Sequence, residues 1–227
     1  MGFWYWSLIL LVPALALGIY AQVKVSSSFN RYSQVPSARG LTGAQGARLM
    51  LDSAGLSDVA IEVAGGRLSD HYDPRSRVLT LSPDVGHSNS LAALGVAAHE
   101  AGHAMQHADG YVPFKFRSTL VPVANLGTNL GFILFFLGLA FFGGGLLMNI
   151  GIVLYSAAVL FTVVTLPVEL NASRRAMAQL SERNILVADE LTGAKKVLSA
   201  AALTYVAAAL MAILQLVRLI LISRRSS

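Results

Sequence analysis

Two histidines bracket a glutamate in the run His99-Glu100-Ala101-Gly102-His103. On a helix, residues four apart lie about 40° apart around the axis and about 6 Å along it. Both imidazoles then point the same way and can hold one Zn²⁺. Glu100 lies beside that face, within reach of a water on the metal. Zinc lowers the pKa of such a water towards about 7. A carboxylate there can take the proton as the water attacks a peptide carbonyl, then pass it to the leaving amine. The spacing thus predicts His99 and His103 as ligands of one Zn²⁺ and Glu100 as the general base.

The remaining ligand must come from a small set. The chain has no cysteine and only five histidines, so the site must be built from His, Asp or Glu. A catalytic zinc takes a third protein ligand and keeps one position open. A third histidine six residues beyond the second is one solution, but Asp109 stands there. His107 is the local competitor, and a straight helix would carry its imidazole about 12 Å from the first. It is expected at the surface or helix end. Glu169 is the better candidate. It follows Pro167 and is expected to open a helix over residues 168–183. On position alone it reads equally as an interfacial glutamate favoured by a helix N-terminus. Farther off, Asp70-His71-Tyr72-Asp73 is a polar cluster. His71 or Tyr72 could donate to an oxyanion, or the following strand could pair with an extended substrate. The plainer reading is a polar turn ending at Asp73-Pro74. Arg174 and Arg175 could neutralise an oxyanion or meet lipid and solvent.

These residues sit in a chain built for a bilayer. Of 227 residues, 55% are hydrophobic and 13% charged, against about 25% charged in a soluble domain. That excludes a disordered chain and argues against an ordinary soluble enzyme. Four stretches approach the roughly 20 apolar residues of a span: about 3–23, 120–142, 146–166 and 198–222. The first reads as a retained anchor, with Trp4, Tyr5 and Trp6 at one interface and Lys24 at the other. Gly143-Gly144-Gly145 allows only a tight turn between the second and third. Residues 24–119 and 168–197 are therefore expected on one side of the membrane. Basic residues near helix ends on that side, such as Lys24, Arg39, Lys115 and Arg183, make it cytoplasmic by the positive-inside rule. Arg224 and Arg225 oppose this unless the last helix lies in the interface. The net charge of +5 is scattered singly and in pairs, which suits anionic headgroups better than nucleic acid.

The predicted organisation is an N-terminal anchor (1–23), a small domain carrying the His-Glu helix (24–119), a transmembrane hairpin (120–167), a helix bearing Glu169 (168–197) and a C-terminal transmembrane helix (198–227). Within the domain, residues 26–40 read as a linker and 42–54 as a helix capped by Gly55. Val59–Val63 and Arg77–Leu81 read as strands, and 90–107 as a helix stopped at Asp109-Gly110. The fold class is a mostly α membrane protein with about four transmembrane helices and a small α+β domain. The Gly127-x-x-x-Gly131 spacing permits close helix packing, within or between chains.

His99-Glu100-Ala101-Gly102-His103 with Glu169-Leu170-Asn171-Ala172-Ser173-Arg174-Arg175-Ala176 resembles the paired motifs of membrane zinc endopeptidases of the HtpX and CAAX prenyl endopeptidase type. Asp70-His71-Tyr72-Asp73-Pro74, Leu81-Ser82 and Val96-Ala97-Ala98-His99-Glu100 resemble, more closely and over essentially the whole chain, the YugP-type neutral zinc metallopeptidases. The resemblance implies a zincin-like catalytic domain, one Zn²⁺ per chain with Glu169 as third ligand, a peptide or membrane-protein substrate and a bacterial plasma membrane. Ser173 departs from the HtpX pattern, which has an Asp that supports a zinc-binding histidine. Other readings are cleavage inside the bilayer, a small transporter using Glu169, and a zinc-stabilised subunit without activity. Intramembrane proteases of the site-2 type carry a later Asp-Gly ligand motif, and the only Asp-Gly here is Asp109-Gly110.

Overall fold

The computed structural model describes residues 2–66, 69–141 and 145–226, without side chains for 2–5 and 226. Gly143, Gly144 and the side chains of Trp4 and Tyr5 lie outside the described residues. The chain divides into two units. One comprises residues 1–21, 115–167 and 204–227; the other comprises 22–114 and 168–203.

The first unit is all helix. It holds α1 (Gly2–Ile9) and parts of α2 (Val12–Tyr32), α6 (Val112–Phe141), α7 (Leu146–Glu182) and α8 (Ala188–Ser226). Among the described residues, four helices are long and apolar enough to cross a membrane, and most of their apolar surface is not buried within the chain. Side chains such as Leu126, Ile133, Phe141 and Val153 stand exposed. An apolar surface of that extent suits lipid, where a helix satisfies its own backbone. Inside, Phe135, Met148, Tyr155, Val159, Leu219 and Ile222 form a core. A Cβ on Gly127 would collide with the Leu154 carbonyl oxygen, and one on Gly151 would stand 2.7 Å from that of Gly131. The Gly127-x-x-x-Gly131 spacing therefore packs α6 on α7 within the chain.

The second unit is mixed. Thr42 caps α3 (Gly43–Ser53) in a reciprocal box with Gln45, and Gly55 follows with φ +73°, a left-handed turn suited to glycine. Three short strands, β1 (Ala60–Val63), β2 (His71–Asp73) and β3 (Val78–Leu81), form a sheet in the order β1-β3-β2. β1 runs parallel to β3 and β2 antiparallel. After the single turn α4 (Pro83–Gly86), Ser90 caps α5 (Leu91–Ala108) by accepting from the Ala93 N–H. Leu51, Leu79, Leu81, Leu94, Ala98, Ala101, Val168, Ala176 and Leu180 belong to one buried core. The mostly α membrane fold with a small α+β part agrees with the sequence.

Four local expectations are corrected. Residues 26–32, read as linker, continue α2: Phe29 and Tyr32 pack on the core, and packing overrides the weak propensity of three serines. His71–Asp73, read most simply as a turn, forms strand β2, with Tyr72 buried on its inner face. The helix expected to begin at residue 168 begins at Leu146 and runs through Pro167. Proline removes one helix hydrogen bond, but apolar helices tolerate it, and buried Val168, Ala172 and Ala176 hold the next turns. Glu169 therefore does not stand at a helix N-terminus. The segments 168–197 and 198–227 were expected as separate helices; the final helix instead spans Ala188–Ser226.

Candidate metal centre

The centre is built on two helices of the mixed unit. α5 is apolar around most of its circumference, so its polar groups fall on one stripe. His99 and His103 lie there four residues apart, with ring centroids 4.8 Å apart and planes at 83°. α7 presents Glu169 to them, 2% exposed. Its Oε2 lies 3.0 Å from His99 Nε2 and 3.5 Å from His103 Nε2. One donor atom from each residue falls within 4.8 Å of the others.

These separations suit one small ion. Ligands at about 2.0–2.1 Å in a tetrahedron stand about 3.3 Å apart. The tautomers follow from the hydrogen bonds. Gln106 Nε2 donates to the Val168 carbonyl at 2.8 Å and to Asn171 Oδ1 at 2.9 Å. Its Oε1 must therefore be the atom that faces His103 Nδ1, at 2.9 Å. An amide oxygen only accepts, so His103 carries a proton on Nδ1, which leaves Nε2 free to serve a metal ion at the centre it shares with Glu169. His99 Nδ1 lies 3.0 Å from Ser173 Oγ, which accepts in the same way when Nε2 is a ligand. The serine thus occupies the supporting position that the HtpX pattern gives to an aspartate.

The support extends further than the sequence indicated. Asn171 Oδ1 also accepts from Arg175 Nε at 2.8 Å, and Arg175 pairs with Asp109. A polar chain therefore runs from Asp109 through Arg175, Asn171 and Gln106 to His103. Arg175 is engaged in that chain, and Arg174 is exposed. Gln106 is fully buried, and its only mark in the sequence is its position three residues after His103, on the same helix face. Gln106→Leu is expected to weaken zinc binding by about 10- to 100-fold, measured by competition with a chelating dye.

Close approach of the two helices depends on Gly102. A Cβ there would lie 2.6 Å from the Ala172 carbonyl oxygen, and its other near neighbours are also backbone. Gly102→Ala is expected to push α7 outward and lower zinc affinity at least about tenfold, as loss of ligand orientation does; metal titration of the purified variant checks this.

Glu100 lies beside the ligand cluster. Burial pushes its pKa up to about 7, with the Glu169 and Asp70 charges adding to the rise and His99 opposing it. Proton transfer near neutral pH is most effective from such a group. The Tyr72 hydroxyl and His107 Nδ1 are hydrogen-bonded at 2.9 Å. His107 stands outside the ligand cluster, and His71 is exposed, with Nδ1 2.7 Å from the Ser69 carbonyl oxygen.

Two imidazoles four residues apart and a carboxylate from a second helix could hold one metal ion, in a chain that has, among its described residues, four helices long and apolar enough to cross a membrane. The family model described as "Putative neutral zinc metallopeptidase" matches residues 7–224, and the chain belongs to that family. It is 46% identical over 213 residues, 94% of each chain, to a protein of Bacillus subtilis (strain 168) named "Putative membrane protease YugP". No solved structure matches it significantly.

Proposed function

We propose that this protein is a membrane zinc endopeptidase, with one Zn²⁺ held by His99, His103 and Glu169 and with Glu100 as general base. The observation that carries the reading is the convergence of three buried or half-buried ligand atoms, with both histidine Nδ1 atoms engaged elsewhere. Bound zinc would supply Lewis acidity and a water acidified towards about pKa 7. The chain's own residues do the rest. Ser173 and Gln106 orient the imidazoles. Glu100 takes the water's proton and delivers it to the amine that leaves.

Strand β2 packs on α5, the helix that carries Glu100. An extended peptide running beside that strand would bring its carbonyl to the base, with Tyr72 and His71 as its nearest side-chain contacts. Arg174 is the exposed cation on the ligand helix; Arg175 serves to hold Asn171. The substrate is a peptide or a segment of a membrane protein near the bilayer surface, and no nucleic acid is involved. The basic helix ends argue for a catalytic face on the cytoplasmic side of a bacterial plasma membrane.

The test is cleavage of an unstructured, quenched-fluorescence peptide by the detergent-solubilised protein. Phenanthroline is expected to abolish cleavage, and stoichiometric Zn²⁺ to restore it. Cleavage that persists in metal-free protein would overturn the reading.

A further inference from the structure

The charges of this protein are segregated. The helical unit contains five basic residues, Lys115, Arg117, Arg218, Arg224 and Arg225, and no Asp or Glu. The net charge of +5 therefore resides in that unit, and the mixed unit is neutral.

Four of the five cations stand within a few residues of helix or chain ends, where headgroups and water reach them. Arg218 does not. It lies in α8, about 20 Å of helix beyond residue 204 and about 12 Å short of the helix end. Its side chain is buried, 8% exposed, and so is Gln215 one turn earlier. Arg218 Nε donates to Ser7 Oγ at 3.1 Å, and Ser7 is itself buried. A guanidinium stays charged and carries five N–H donors in a planar fork. A hydroxyl takes up one donor and neutralises nothing. A cation inside an apolar span calls for an anion, and this unit has no carboxylate side chain to offer. An anion that pairs with Arg218 would therefore come from outside it.

We propose that Arg218, with Ser7 and Gln215, forms a site for the phosphodiester of an anionic phospholipid. A phosphate accepts two parallel N–H bonds from the fork that Ser7 leaves free. Ile213, Val217 and Leu221 on the same helix are exposed, so acyl chains would find apolar surface beside the site. A free phosphate would gain nothing from that surface and would have to be desolvated without it. Ser7 follows Trp6, which is expected at one membrane interface, so the headgroup layer lies near this site.

The test compares lipid retention by the full-length protein in native mass spectrometry. Mixed micelles containing equal phosphatidylglycerol and phosphatidylcholine provide the competition. Wild type is expected to retain phosphatidylglycerol at least tenfold over phosphatidylcholine. Arg218→Gln is expected to abolish that preference, and Arg224→Gln/Arg225→Gln to keep it. Arg218→Lys keeps a charge without the fork, and a several-fold fall is expected; it carries the test if the glutamine variant fails to fold. An unchanged preference in either Arg218 variant would overturn the site. Its loss in the Arg224/Arg225 variant would reassign the effect to helix-end charge. Displacement of lipid by millimolar inorganic phosphate would show a free-anion site instead.

Discussion

Glu100→Gln is expected to cut peptide cleavage by about 10³-fold while zinc content stays at one ion per chain. The substitution removes one titrating oxygen and changes little else. A neutral group suits a position where burial already raises the carboxyl to about 7, so the fold should not suffer. Glu100 makes none of the contacts that join His99, His103 and Glu169. Paired measurements of turnover and bound zinc check the expectation. A variant that keeps more than a tenth of the wild-type rate would remove Glu100 as the base. A variant that loses zinc would make Glu100 a ligand. The result also separates an enzyme from a subunit in which zinc serves only to tie two helices together.

Glu169→Ala is expected to act on the metal itself, with zinc affinity falling by well over about 100-fold, more than loss of an outer hydrogen-bond partner costs. Its carboxylate is 2% exposed and lies 3.0 Å from His99 Nε2. No described His, Asp or Glu outside these three joins the cluster. Removing it leaves two imidazoles and open coordination positions. Glu169→Gln keeps the shape but offers a far poorer ligand, so its affinity should fall nearly as far. Zinc titration of both variants by calorimetry measures this. Retention of wild-type affinity in either would place the third ligand elsewhere.

The parts of this centre differ in how visible they were in the sequence. His99, Glu100 and His103 are legible because their relation is local: one helix and a four-residue spacing decide it. Glu169 lies 70 residues from His99, and no periodicity links them. Only the resemblance of two motifs pairs it with the histidines, and Pro167 reads as a helix boundary. The proline is instead carried inside a helix of 37 residues. Gln106 was overlooked because a glutamine near a helix end looks like surface, and only the approach of Val168 and Asn171 makes it a buried bridge. Strand β2 is three residues long and contains histidine and aspartate, types that local propensity does not assign to strands. The segregation of charge was present in the composition, but it emerges only once residues 1–21, 115–167 and 204–227 are known to form one unit.

The most direct test of the metal centre is anomalous diffraction at the zinc edge from crystals of the full-length protein. The expected result is one peak per chain, about 2.0–2.2 Å from His99 Nε2, His103 Nε2 and a Glu169 carboxylate oxygen, with water as the fourth ligand. A peak that leaves Glu169 out of bonding distance, or a fourth ligand supplied by the protein, would contradict it.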